Sequence, residues 1–410
     1  MPFSSAPPPN RSHNIAYLVV LAGVCAALHI WKLPPALPEL QRELGFTLVQ
    51  SGFLLSIVQF GGMTLGLAAG LLAEKIGLRR CVLIGLALLA ISSACGALFD
   101  SALALLVFRA IEGGGFLLVV MPAPGLIKRL VEPSYLSRIL GVWGTYIPTG
   151  TVIVLIGGSW VLSISNWRTL WLLLAAVTVV MVVLVYRLVP ADANSRLMAA
   201  SPNEADLPWW GIIKTTLMSQ NVWLVALTFA VYASQWIAVI GFLPSIYVQA
   251  GVSGTDAGLL TAIAAGANIS GNLVAGRLSH RGARPEVLLW VGFGVMALSA
   301  FFAFGLNIRP AYQFISVVIF SAVGGLVPAT LFLLAIRLAP SVQTTSTTVG
   351  WLQQCSAMGQ FAGPPVVAWV ATLAGGWQLT WTVTGSCALM GIGLAALLGK
   401  ASSKASALSG

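Results

Sequence analysis

Charge is what this sequence has least of. Asp, Glu, Lys and Arg together make up 8% of 410 residues, about a third of the share that a soluble globular protein carries. So little charge excludes a soluble enzyme and a disordered chain, and the net charge of +10 therefore does not mark a nucleic-acid binder. Histidine is equally scarce. His13, His29 and His280 stand too far apart to form a catalytic or metal cluster, so no metal, no cofactor and no enzymatic activity are expected. The five cysteines, Cys25, Cys81, Cys95, Cys355 and Cys387, are odd in number and lie in or beside apolar runs, with neither a disulfide framework nor a CxxC pair. A G-x-x-x-x-G-K-[ST] phosphate loop is absent, which argues against an ATP-driven pump. Near the start, the Pro/Ser-rich stretch Met1 to Asn14 precedes an apolar run too long for a signal-peptide core and without a clear cleavage site.

What the chain has in quantity is apolar sequence. Hydrophobic residues make up 58% and the mean hydropathy is +0.92, room for about twelve bilayer-spanning helices of roughly 20 residues. The runs are continuous rather than alternating, which argues against a transmembrane β-barrel. Charges, Pro and Gly bound twelve predicted helices at 15–37, 47–73, 81–99, 102–127, 138–162, 168–188, 218–244, 256–278, 286–305, 311–337, 345–372 and 377–398. The organisation expected is a tail 1–14, a six-helix unit 15–189, a polar linker 190–216, a second six-helix unit 217–399 and a tail 400–410. With both termini on one side, that side holds 16 of the 21 Lys and Arg, the other side holds three (Arg42, Arg168, Arg309), and Lys32 and Arg109 fall within helices. By the positive-inside rule, the termini and linker are cytoplasmic.

The two halves repeat. Ser51-Gly52-Phe53-Leu54-Leu55-Ser56 matches Asp256-Ala257-Gly258-Leu259-Leu260-Thr261 at an offset of 205, and Gly77-Leu78-Arg79 matches Gly282-Ala283-Arg284 at the same offset. Asn166-Trp167-Arg168 with Trp171 matches Gly376-Trp377-Gln378 with Trp381 at an offset of 210, and Pro38 corresponds to Pro244. Two parallel units of this kind are the ground plan of an alternating-access transporter.

Between the second and third helices stands Gly70-Leu-Leu-Ala-Glu74-Lys75-Ile-Gly77-Leu-Arg79-Arg80; the fourth helix carries Arg109-Ala-Ile-Glu112-Gly113-Gly114-Gly115 and the fifth Gly141-Val-Trp143-Gly144-Thr-Tyr146-Ile-Pro148-Thr-Gly150. With these motifs the chain resembles the major facilitator superfamily along nearly its whole length, and the fifth-helix pattern is similar to the cyanate-permease-like branch. The resemblance implies an all-α integral membrane fold of twelve helices in two pseudo-symmetric bundles. It also implies a gate in which the acid Glu74, with Gly70, Gly77, Arg79 and Arg80, latches the cytoplasmic ends of the halves. Glu replaces the family's usual Asp, and Leu78 stands where its first Arg is expected.

Ionisable groups inside a membrane are costly and are functional candidates. Of eleven acids only Glu112 falls within a span, three residues after Arg109, so the two share a face; His29 and Lys32 do the same on the first helix. Lys32 and Arg109 either make a positive substrate pocket, or hold a structural bridge (Arg109) and snorkel to the headgroups (Lys32). Glu112 and His29 are the candidate proton-coupling groups, and His29 is also a candidate substrate contact beside Lys32. The resemblance places Trp143, Tyr146, Tyr232, Gln235, Trp236, Trp351, Gln353 and Gln354 near a central route, and Asn268 and Asn272 share a face of the eighth helix. The expectation is a monomeric secondary transporter of a small organic or inorganic anion in a bacterial inner membrane, working by rocker-switch alternating access, with a proton as co-substrate. The alternative is a proton-coupled exporter of neutral or weakly basic compounds.

Overall fold

The structure, a computed structural model, describes residues 9–192, 209–341 and 344–408. Every regular element among them is helical. Eleven runs are long and apolar enough to cross a bilayer: α1 (His13–Leu44), α2 (Leu48–Ala68, helical on to Ile76), α3 (Leu78–Gly96), α4 (Ala102–Leu130), α5 (Arg138–Ile164), α6 (Trp167–Leu188), α7 (Gln220–Gln249), α8 (Gly254–His280), α9 (Pro285–Gly305), α10 (Pro310–Arg337) and, after a gap in the count, α12 (Trp377–Lys400). Between the last two lies α11 (Thr345–Ala374), whose 30 residues cover about 45 Å. Its apolarity is diluted by Gln353, Gln354, Gln360, Pro364 and Pro365, and its position explains why. This helix packs against α7 of its own half and α2 of the other, so much of its surface meets protein rather than lipid.

Successive helices alternate in direction. The first and last described residues and the described ends of the link between the halves, near residues 192 and 209, share one end of the molecule, the tail face; the opposite end is the far face. Where even-numbered helices start at the far face, side chains satisfy the free amides of the first turn. Thr47 and Gln50 form a capping box on α2, Ser101 accepts from Ala104 N on α4, Asn166 from Thr169 N on α6 and Ser253 from Asp256 N on α8.

Several boundaries differ from the sequence expectation for identifiable reasons. The first helix continues past residue 37 to Leu44, because Pro34 and Pro35 open a new segment (Leu33–Leu44) directly after a break at Lys32. The third begins at Leu78, not 81: Gly77 takes φ +106° and ends the preceding helix there. The helix of the fifth span begins at Pro133 (Pro133–Trp143), resumes at Tyr146, and passes through a π-helical stretch, Val154–Gly158. The polar linker expected over 190–216 includes most of a helix, Trp209–Met218; residues 193–208 of it lie outside the described residues, as do residues 1–8 and 409–410 of the two tails.

Helices within each half approach through glycine. A Cβ on Gly113 of α4 would stand 2.0 Å from Val58 O of α2, one on Gly271 of α8 2.0 Å from Ala322 O of α10, and one on Gly359 of α11 2.0 Å from Ala230 O of α7. Small residues at such crossings let backbones touch where lipid gives no hydrophobic drive between helices.

Candidate functional site

Between the two halves lies a cavity of about 470 Å³, within the size range of small-molecule sites. Trp31 of α1, Gln59 of α2, Phe116 of α4, and Tyr146 and Thr151 of α5 line it from the first half; Phe229, Tyr232 and Trp236 of α7, Asn268 and Asn272 of α8, and Gln353, Ser356 and Gln360 of α11 line it from the second. Among the described residues, no Asp, Glu, Lys, Arg or His lines it. The walls are aromatic and apolar, and their polar groups are amides and hydroxyls.

On the second-half side those polar groups form one network. Asn268 Nδ2 donates to Tyr232 Oη and to Ser321 O, both at 2.9 Å, Asn272 Nδ2 donates to Asn268 O at 3.0 Å and to Asn268 Oδ1 at 2.9 Å, and Trp236 Nε1 donates to Ser321 Oγ at 3.1 Å. The break in α10 at Gly325 makes this possible, because a Cβ there would meet Asn268 O at 2.2 Å. Tyr232 Oη accepts from Asn268 and keeps its own proton to offer, while Gln353 and the Tyr146 hydroxyl have no partner among the described residues. From the other side, Gln59 Nε2 donates to Gln360 Oε1 at 3.0 Å across the halves.

The ions predicted to line this space are elsewhere. His29, Lys32, Arg109 and Glu112 are buried together inside the first half, behind Ile30 and Gly113. Lys32 Nζ pairs with Glu112 Oε1, donates to Ser93 Oγ at 2.8 Å and sits 4.3 Å from the Trp171 ring centroid. Arg109 donates to Glu112 Oε2 at 2.7 Å, to His29 O at 2.6 Å and to Ile30 O at 3.2 Å. Those carbonyls explain the arginine. Pro34 has no N–H to give Ile30 O, so the helix break leaves an acceptor that the guanidinium fills. His29 Nε2 lies 2.7 Å from Thr178 Oγ1, whose own proton goes to Leu174 O at 2.7 Å. The imidazole is therefore the donor there, and its Nδ1 faces Glu112 Oε1 at 3.7 Å. Snorkelling is not what Lys32 does, and neither it nor Arg109 lines the cavity in this conformation, because Glu112 and the broken helix hold both inward.

Of the other sequence candidates, Tyr146, Tyr232, Trp236, Asn268, Asn272 and Gln353 line the cavity. Trp143 stacks on Tyr146 (4.4 Å between centroids) behind the wall, and Gln235 is buried away from the lining, its Nε2 donating to Val231 O of its own helix at 3.5 Å. Gln59, Gln360 and Trp31 were not anticipated as lining residues; the two glutamines had a signal, an amide within an apolar span. In the loop motif, Gly77 is the positive-φ hinge, and the carboxylate at the loop is Asp192, which accepts from Arg79 N and Arg80 N at 3.2 Å each. Arg79 Nη2 also donates to Tyr186 O at 2.5 Å. The described contacts of this loop thus tie α3 to α6 of the same half, while the surroundings of Gly70 and Glu74 fall outside the described residues.

The halves meet along most of the cavity's length. Segment Leu33–Leu44 of α1 packs on α7, and Trp31 meets Trp236 edge-on at 5.5 Å. On one flank, α8 touches the stretch Tyr146–Ile164 of α5 towards the far face, Gly258 lying against Leu155 and Ser159. Towards the tail face the same two helices part, and Gly141, Gly144, Asn272 and Leu273 border the cavity. The space is closed at the far face and opens towards the tail face.

Two six-helix units around a central cavity match a known family over most of the chain: its profile covers residues 19–364. The chain belongs to the Major Facilitator Superfamily. It is similar to the cyanate transport protein CynX of Escherichia coli, 23% identical over 277 residues, 66% of this chain and 68% of that protein. It is also similar to an uncharacterised MFS-type transporter of Mycobacterium tuberculosis, 26% identical over 224 residues, although the match spans only 30% of that longer protein. A bacterial homologue of the human lysosomal transporter Spinster, solved inward-facing and unoccupied, shares the fold with a TM-score of 0.80 at 14% identity, over 96% of this chain and 98% of that one. Members of the superfamily are transporters rather than enzymes, and this chain is a multi-pass membrane protein of that kind.

Proposed function

We propose that this transporter carries an uncharged small organic solute with an apolar or aromatic body and a few hydrogen-bonding groups. One observation carries the reading: among the described residues, the cavity at the interface of the halves offers amides, hydroxyls and aromatic faces but no charged side chain. A fixed anion entering it would lose its hydration with no cation to meet it. An uncharged solute exchanges water for Tyr232, Gln353, Asn272 and Gln59 at little cost. The alternating-access cycle rocks the halves about this cavity, with the present conformation open towards the tail face. The 16 basic residues on the tail side against three on the other support a cytoplasmic tail face.

The test is uptake into proteoliposomes of three labelled sets: uncharged aromatic solutes, small carboxylates with cyanate, and lipophilic cations. Saturable flux of an uncharged solute is expected, with apparent affinity lowered about tenfold in Gln353→Leu or Tyr232→Phe, the loss of one hydrogen bond in a dry site. Saturable flux confined to anions, lost in Lys32→Met, overturns the reading and returns the buried cluster to the centre of the mechanism.

A further inference from the structure

The helices α2 and α11 come from different halves and cross antiparallel in a regular register. Gln59 faces Gln360, Gly62 faces Ala357 (3.1 Å from a Cβ built on the glycine) and Gly66 faces Gln354 (3.0 Å). At the last step the contact changes in kind. Gln354 Nε2 donates to Met63 O at 2.8 Å, and Gln354 Oε1 accepts from Leu67 N at 2.9 Å. Met63 and Leu67 are four residues apart, so that carbonyl and amide are a helical hydrogen-bond pair of α2. The side-chain amide of one half thus bridges a backbone acceptor and donor of the other, as a peptide group would. Gly66 leaves the room, since a methyl there would press on Gln354 Cβ and Cα.

This contact lies in the tail-side half of the interface, on the flank opposite α5 and α8. There the tail-side halves of α5 and α8 have parted; here α2 and α11 are still joined. We infer that Gln354 is a positioning residue for transport: a clasp between the halves that holds α2 on α11 and limits how far the tail face opens. The Gln354 side chain does not line the cavity, so it acts through the movement of the helices and not by touching cargo. The assignment rests on alternating access and is independent of the cargo's charge.

The experiment measures the distance between nitroxide labels at Ile76 and Ser346, exposed positions at the tail ends of α2 and α11, by double electron–electron resonance. The half-buried Cys95 and Cys387 are replaced by serine to confine the labels. No cargo is required, so failure of the cargo reading leaves this result interpretable. Gln354→Leu is expected to raise the long-distance population at least about fivefold, the effect of two neutral hydrogen bonds at the low end of their range. Gly66→Ala displaces the same side chain by crowding and should shift the distribution in the same sense. Gln354→Glu separates a clasp from mere packing. Protonated, its carboxylic acid offers the same donor and acceptor, so the short distance returns at low pH; ionised, it has no donor for Met63 O and the long distance grows. Gln353→Leu, one residue away, leaves the distribution unchanged. If Gln354→Leu gives too little folded protein, the other two variants decide. Distributions that match the parent protein in the folded variants overturn the clasp.

Discussion

The two halves share a scaffold but differ at corresponding levels. In the first, His29 and Lys32 of α1 and Arg109 and Glu112 of α4 form a closed ionic cluster. In the second, the matching level of α7 and α10 carries Gln235, Ala238, Val317 and Phe320, all buried and none charged. The difference follows from the backbone. The first helix is broken at Lys32 before two prolines, which frees carbonyls that need a donor; α7 runs unbroken from Gln220 to Gln249 with its proline at Pro244, well past that level. Charge in the first half therefore serves a helix break. Polarity in the second half, through Tyr232, Trp236, Asn268 and Asn272, serves the cavity. Intramembrane charge is commonly a functional marker, and here the cluster's geometry gives it a structural task first.

The sharpest way to break that contrast is to unbalance the cluster. Lys32 and Arg109 share one carboxylate, so the acid and the lysine are not equivalent. Glu112→Ala leaves Lys32 and Arg109 buried without a counter-ion and is expected to cost about 3–5 kcal/mol. Lys32→Met leaves the Arg109–Glu112 pair intact and removes the excess charge, so its effect should stay within about 1 kcal/mol or be stabilising. Thermal unfolding in detergent, followed by tryptophan fluorescence, reads both. Equal losses in the two variants would show that the cluster is not organised around its carboxylate.

A second comparison sets contacts inside a half against contacts between halves. Gly363 lies against Ser234 O within the second half, a Cβ there approaching to 2.1 Å, whereas Gly258 lies against Ser159 Oγ of the other half, at 1.9 Å. Both substitutions to alanine create clashes, but only one can be relieved by a movement the protein already makes. Gly363→Ala is expected to destabilise by about 1–3 kcal/mol. Gly258→Ala should fold with near-parent stability while the far face fails to close, and flux falls by more than tenfold. Cysteine accessibility at the far face distinguishes the two, and an unstable Gly258→Ala protein would erase the distinction.

Much of this fold was legible in the sequence because lipid enforces it. A helix must satisfy its backbone within itself, so long apolar runs, internal repeats and lysine and arginine counts suffice to count and pair the spans. Legibility ended at rotation. His29 and Lys32 share a face with one another, as do Arg109 and Glu112, and spacing showed that; whether those faces met the cavity or the interior of the bundle depended on the break at Lys32 and on where Trp171, Ser93 and Thr178 would lie, facts of packing between distant segments. The same holds for Asp192, which looked like one polar residue of a linker and proved to cap α3. Gln354 was a polar residue on the eleventh helix in either reading, and nothing local distinguished it from Gln353, which faces the cavity.

On the second-half side, Asn268 is the residue whose loss should separate cargo binding from stability. It donates to both Tyr232 and Ser321 O, so Asn268→Leu frees the tyrosine to rotate and leaves Asn272 without its acceptor Oδ1. The expected result is a roughly tenfold weaker apparent affinity, about 1.4 kcal/mol, with a loss of thermal stability below about 1.5 kcal/mol. A variant that melts far lower yet binds cargo normally would make the network structural, like its counterpart in the first half.

The smallest effect is expected where charges are most visible. At the far face, Arg168 donates to Glu43 Oε1 at 2.5 Å and pairs with Asp100, while Trp167 Nε1 donates to Glu43 Oε2 at 2.7 Å. Like the buried cluster, this is three charged side chains joining several helices of the first half, with the signs reversed. Asp100 is 71% exposed and Arg168 29%, so water already solvates what the partners hold, and exposed pairs contribute about 0–1 kcal/mol. Asp100→Asn should therefore cost less than about 1 kcal/mol and leave flux unchanged, and the difference from the parent should vanish at high salt. A large loss would mean that this network, and not only the helix break below it, fixes how α1, α4 and α6 stand together.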